Sequence, residues 1–373
     1  MGKRVTIYVL INIILLLISI LLVYVLVTRY NTNKKNMPIE LAWENSTIVQ
    51  SIQAEYDENK AEEKTNITAV VPKIVEDNQE NMINTNNAYF KYYYEQLDSN
   101  SKKIYDCIEN NIENIKTGTY KIKLPNEVAK VLEEENGNEK LGEQFQSAWD
   151  AILMDRVDLF FIDITKLNLE MKITTYGKQK TYSLVISPGS TGNYLDDGFY
   201  SEQIVDMSID KINKIRDQII SELSGDDYNK VKQVHNWIID NLEYGMEKSD
   251  NNAYNIYGAL INKEAVCEGY AETFKYVMDA IGIPSILVIG TATNSEGITE
   301  NHEWNYVKID GIWYGIDVTW DDPIIKGGGF FTNSVRYKYF LKGKDDMDKN
   351  HFPNGKVSSR GMSFKYLELG NSY

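Results

Sequence analysis

The chain is poor in the residues that most often announce a function. Of its 373 residues only two are cysteine, Cys107 and Cys267, and three are histidine, His235, His302 and His351. Two cysteines exclude a disulfide framework, because they allow one bridge at most. No histidine stands in an HxH or HxxxH pattern and there is no CxxC, so a zinc site has no support and neither a metal nor another cofactor is expected. A phosphate-binding P-loop and a GxGxxG fingerprint are both missing. Positive charge is scarce too: 39 Lys and Arg against 54 Asp and Glu leave a formal net charge of -15. That argues against a protein held on nucleic acid, or adsorbed on anionic lipid, by its overall field.

What is present begins with a long apolar run. Val5–Val27, "VTIYVLINIILLLISILLVYVLV", is 23 residues without a charge, enough to cross a bilayer with some tilt. No A-x-A-like cleavage site follows before Asn31, so the run reads as an anchor helix within residues 1–30 and as the contact with the lipid bilayer. Lys3 and Arg4 on one side and Arg29, Lys34 and Lys35 on the other leave the orientation undecided by charge. Residues 31–87 are polar runs such as "YDENKAEEKTN" and "EDNQENMINTNN". They bury too little to offset ordering and read as a flexible tether, spanning about 40 Å as a coil.

Residues 88–225 read as a mixed α+β region. Ile104, Ile108, Ile112 and Ile115 recur at helical spacing behind Ser99 as the expected N-cap, with Cys107 beside the stripe as a packing residue. Two alternating runs around Tyr176-Gly177-Lys178 predict a hairpin, and "SEQIVDMSIDKINKIRDQIISELSG" predicts a long helix stopped by Gly225. No chemical constellation stands out there. Residues 226–373 open with another helix, on which His235 and Trp237 read as packed rings.

Cys267 is different. Tyr270, Phe274, Val277, Met278 and Ile281 keep a period near 3.6 after it, and Gly282 and Pro284 end the helix. The thiol therefore sits in the first turn, where unpaired N–H groups and the positive dipole end favour a thiolate and a developing oxyanion. Position alone does not separate a working thiol from a small structural residue. Downstream, Asp310-Gly311 is a two-residue hairpin signal. It pairs Ile309 with Ile312, Tyr306 with Gly315 and Trp304 with Asp317, which puts His302, Trp304, Tyr306, Trp313 and Asp317 on one face and makes His302 and Asp317 diagonal neighbours. A thiol, an imidazole and a carboxylate in these places are what acyl transfer needs.

With these residues in view, the chain resembles the transglutaminase-like superfamily of papain-type cysteine enzymes. The matching text is "NIYGALINKEAVCEGYAETFKYVMDAIGIPSILVIGTA" followed by "NHEWNYVKIDGIWYGIDVTWDDP", within about Asp227 to Asp322. The resemblance implies an α+β fold in which the Cys helix packs on an antiparallel sheet, with Cys267 as nucleophile, His302 as general base and acid, and Asp317 as the orienting residue. It implies a protein or peptide substrate, cell-surface and cell-wall peptides among them, and a membrane-anchored body outside the membrane. It leaves open cross-linking, deamidation and proteolysis, and it leaves open an inactive adhesion or binding module on a membrane stalk. Tyr257 is the upstream candidate for a second oxyanion donor. Asp321 and Asp322 read as turn residues, the glycine run after Pro323 as a rim beside the site, "YKYFL" as a short core strand, and His351 has no expected role.

Overall fold

The structure, a computed structural model, describes residues 89–373 apart from residues 177, 248–249 and 323–332. The expected anchor Val5–Val27, the tether and the glycine-rich rim lie outside the described residues. Among the described residues no helix is long and apolar enough to cross a membrane.

Helix α1 (Tyr92–Gln96) is followed by α2 (Ser99–Glu109). The cap of α2 is Asp98, not Ser99: its carboxylate accepts from the N–H of Asn100 at 2.7 Å and of Ser101 at 2.8 Å. A carboxylate also meets the positive end of the helix, which a hydroxyl does not. The expected stripe is buried at Ile104 and Ile108, while Ile112 and Ile115 fall in a separate short helix, Ile112–Ile115. Cys107 is partly exposed at the stripe's edge, with Sγ 3.4 Å from the Lys123 carbonyl, and both cysteines are free thiols.

Strand β1 (Ile122–Lys123) precedes α3 (Gly137–Asp155), a helix buried along most of its length. β2 (Asn168–Tyr176) and β3 (Gln179–Ser187) form the expected hairpin and complete a sheet of order β1-β3-β2. α4 (Glu202–Glu222) starts on Ser201, whose Oγ accepts from Ile204 N–H, and α5 (Asp227–Asn241) starts on Asp226 in the same way. Two short parallel strands, β4 (Glu243–Tyr244) and β5 (Glu264–Ala265), lead into α6 (Cys267–Ala280).

The second sheet carries the rest. β6 (Ser285–Thr293), β7 (Thr299–Ile309), β8 (Ile312–Ile316) and β9 (His351–Pro353) pair antiparallel in the order β8-β7-β6-β9. At the β7–β8 turn both residues take positive φ, 51° at Asp310 and 82° at Gly311, the conformation whose twist suits a two-residue hairpin. The register is the expected one through Ile309↔Ile312 and Tyr306↔Gly315. "YKYFL" is buried at Tyr339, Phe340 and Leu341 but is a turn rather than a strand. Leu341 has φ of +50°, and only the following residue bridges to the sheet, Lys342 with Gly315.

The division expected at residue 225 is not a division of the core. One hydrophobic cluster runs from Phe90 to Leu369. Tyr93 Oη donates to the Leu287 carbonyl in β6, Phe90 N–H to Asp279 in α6 at 3.3 Å, and the N–H groups of Tyr93 and Tyr94 to Asp155 at the end of α3 at 2.9 Å.

Candidate active site

α6 begins at Cys267, and no side chain caps it. The first-turn amides are thus left to whatever occupies the space in front of them. Gly269 secures the helix start. A Cβ there would lie 2.7 Å from Ala265 Cβ and 2.9 Å from the Ala253 carbonyl, so any larger residue would push the thiol's turn away from its support. Asn305, on the β7 face toward α6, donates to the Ala271 carbonyl at 3.0 Å. Cys267 is partly exposed, whereas His302 is only 5% exposed.

His302 Nε2 lies 2.8 Å from Asp317 Oδ2. A carboxylate only accepts, so Nε2 carries the proton and Nδ1 is the nitrogen left for the Cys267 thiol, which interacts with this ring. Burial alone would depress the imidazole. The Asp317 carboxylate, helped by the thiol, reverses this and pushes it up to about 10. Against its own burial, Asp317 is held well below the usual carboxylate range, by His302 first and His351 second. Its other oxygen accepts the Trp320 N–H at 3.0 Å. Trp320 and Trp304 stack on His302 with centroids 5.0 and 6.0 Å away. Trp304 is 1% exposed, which makes it a wall beneath the imidazole and not the lining of a substrate pocket.

Thus the structure brings Cys267, His302 and Asp317 to one place. The model of the transglutaminase-like superfamily matches residues 215–318. In a comparison with characterised proteins, 157 residues of the chain are 26% identical to kyphoscoliosis peptidase of Mus musculus, covering 39% of this chain and 23% of that protein. The chain therefore spans under a quarter of the length of the curated relatives it matches. Among solved structures, a TGase aligns over 47% of this chain and 50% of its own at 17% identity with TM-score 0.28. A putative cysteine protease from Cytophaga hutchinsonii aligns over 41% of this chain and 62% of its own at 15% identity with TM-score 0.24.

Several neighbours of this transglutaminase-like site were not evident in the sequence. His351, given no role there, reaches the same Asp317 Oδ2 with its Nε2 at 2.9 Å. The donor atoms of His302, Asp317 and His351 all lie within 4.8 Å of one another, but each imidazole nitrogen stands at hydrogen-bonding distance from an oxygen that is already the acceptor. Asp321 and Asp322 are not free turn residues. Asp321 pairs with His235 Nε2 at 3.1 Å and accepts the Tyr339 N–H, and Asp322 accepts the Tyr270 hydroxyl at 2.7 Å. Tyr257, the expected oxyanion donor, is packed against Phe160 and Phe199. The phenols whose charge would act on Cys267 are Tyr244 and Tyr254, and Tyr254 Oη already points at Met246 Sδ, 3.6 Å away. Finally, Glu268, Glu272 and Glu303 form a carboxyl cluster under the helix start. Burial pushes Glu268 up to about 8 and the other two well above the usual range, and their mutual repulsion adds to this at Glu272 and Glu303. The upward shifts favour the protonated forms of these carboxyls, which weakens their repulsion of a nearby thiolate.

Proposed function

We propose that the chain is a cysteine acyl-transferase or hydrolase of transglutaminase-like type that acts on the amide of a peptide bond or of a glutamine side chain. The observation that carries this reading is the buried His302 ring, hydrogen-bonded to Asp317 at Nε2, which leaves Nδ1 for the Cys267 thiol that interacts with the ring. The Cys267 thiol gives its proton to His302 Nδ1 and its sulfur attacks the carbonyl carbon. The oxyanion that forms is met by the first-turn amides of α6 and by the half-exposed Tyr244, which β4 sets beside β5 just ahead of the cysteine. His302 passes its proton to the departing nitrogen, the C–N bond breaks, and a thioester remains. Water or an amine then adds with His302 as base, and the thiol is released. Asp317 keeps one tautomer throughout and remains ionised. A membrane anchor at Val5–Val27, with the body outside the membrane and surface peptides as substrates, belongs to the same proposal.

The test is incubation of the chain with a glutamine-containing peptide and a labelled amine. Ammonia release with amine incorporation means transfer, ammonia alone means deamidation, and chain cleavage means proteolysis. An iodoacetamide rate at Cys267 no faster than at Cys107, with none of these products, would sink the reading.

A further inference from the structure

Both imidazoles that meet Asp317 come from the same sheet, from strands that are not neighbours. His302 is on β7 and His351 on β9, with β6 between them. Strands two places apart are separated by roughly 9.5 Å, yet the two ring centroids are 5.8 Å apart. The intervening strand makes this convergence possible. Gly290 pairs with both His302 and Pro353, and Ala292 pairs with His351. A Cβ on Gly290 would lie 2.1 Å from the Phe352 carbonyl. β9 can therefore approach, and with no side chain at Gly290 and one methyl at Ala292 the two rings lean toward each other over β6.

The His351 ring is fixed on every side. Nδ1 faces Asn350 Oδ1 at 2.9 Å, and the Asn350 amide is itself oriented by donating to Tyr339 Oη at 2.7 Å. Trp320 and Tyr339 pack against the ring with centroids 4.8 and 5.0 Å away, and the side chain is 1% exposed. Nothing in the fold of the strand requires a histidine there. An apolar side chain would fill the same volume, and burying a polar ring is costly unless its hydrogen bonds are made.

We propose that His351 is a positioning residue of this site: its Nε2–H anchors Asp317 Oδ2, so that the carboxylate meets His302 in a single orientation. This rests on the reading of Cys267, His302 and Asp317 given above. Asp317 stands in the turn just past β8, beyond the last ladder pair of the hairpin. The strand therefore does not by itself fix where its carboxylate points. The Trp320 N–H holds Oδ1 and His351 holds Oδ2, which defines the plane of the group before His302 engages it. The other titratable groups around Asp317 are Cys267 beyond the His302 ring, Tyr244 from β4, Tyr339 against His351, and the His235–Asp321 pair from α5 and the turn. The hydrogen bonds to the carboxylate come instead from His302, His351 and Trp320.

The test measures iodoacetamide modification of Cys267 against Cys107 in the whole chain, with thermal unfolding in parallel. His351→Leu should slow Cys267 about 10-fold. His351→Gln, whose amide nitrogen can reach the position of Nε2, should stay within about threefold of the parent. In an Asp317→Asn background His351→Leu should bring no further loss, because residues acting through one group are not additive. Loss of melting temperature alone, with Cys267 still fast in His351→Leu, overturns the proposal. So does a loss that Gln does not restore, or one that persists in full without the Asp317 carboxylate. Were the parent Cys267 itself slow, the failure would belong to the enzymatic reading and not to His351.

Discussion

Two buried His–Asp pairs lie side by side in this protein and behave in opposite ways. His302–Asp317 and His235–Asp321 have similar spacing, 2.8 and 3.1 Å, and all four side chains are nearly or fully buried. In the first pair Asp317 is held ionised and the imidazole is pushed up to about 10. In the second, burial pushes His235 down to about 4 and Asp321, with Asp317's charge adding to the effect, up to about 9. The partners explain the contrast. Asp317 receives two imidazole N–H groups and the Trp320 amide. Asp321 receives the Tyr339 amide and sits next to a carboxylate that is already charged. With a proton on Asp321 Oδ2, the acid donates to His235 Nε2, and His235 Nδ1–H faces Asn236 Oδ1 at 3.3 Å. A buried His–Asp contact is therefore not a signature of catalysis. The number of donors on the carboxylate and the presence of a thiol beyond the ring decide what it is.

The comparison can be broken at its histidines, where the effects should be largest. His302→Ala should cut iodoacetamide reactivity of Cys267 at neutral pH about 100-fold. His235→Ala should leave that rate unchanged but cost roughly 2–4 kcal/mol in urea unfolding, from the cavity and from Asp321 left without its partner. At the carboxylates the contrast sharpens. Asp317→Asn should slow Cys267 by about 10-fold or more by disturbing the His302 tautomer. Asp321→Asn should change stability by under about 1 kcal/mol, because an amide replaces a group that is already neutral and still donates to His235. Equal effects of the two Asn variants would show that the pairs do not differ in charge.

The smallest expected effect is on pH dependence. His302, raised above its unfolded value, contributes stability that is complete below about pH 6.5 and is lost as pH rises through about 10. Glu268, at about 8, and Asp155, at about 7, are raised by burial, so unfolding releases their protons above about pH 4 and stability falls as pH rises. His235, lowered to about 4, works the other way between pH 4 and about 6.5. With two raised carboxyls against one lowered imidazole, the melting temperature should fall as pH rises from about 4 to 9, and His235→Phe should steepen the fall between pH 4 and about 6.5.

The sequence carried the local parts of this picture and missed the distant ones. The start of α6 at Cys267 and the β7–β8 register were legible because each follows from nearby residues: the apolar period behind the cysteine, and the Asp310-Gly311 turn that counts outward as far as Asn305 and Ile316, one pair short of the expected Trp304 and Asp317. α3 was not evident, although it is buried along most of its length. It includes Gln144, Gln146, Ser147 and Asp150 among its buried residues, which blurs the stripe that a pattern search needs. His351 had no local signal at all. Its meaning comes from β9 pairing with β6, a contact made about sixty residues away from β6 in the chain. Glu268 and Glu272, four residues apart on α6, carried no signal in the sequence, because the third carboxyl of the cluster, Glu303, is brought to them by β7.

The tie between Tyr93 and the Leu287 carbonyl, with Phe90 held by Asp279, bears on how the molecule is handled in the laboratory. A shortened version beginning at residue 226 would have a bare apolar sheet face and a vacant docking groove where α1 normally rests. It should precipitate or bind chaperones. The smallest piece worth purifying starts at or before Tyr89 and keeps the carboxyl-terminal tail that holds Tyr92 through the Lys365 carbonyl.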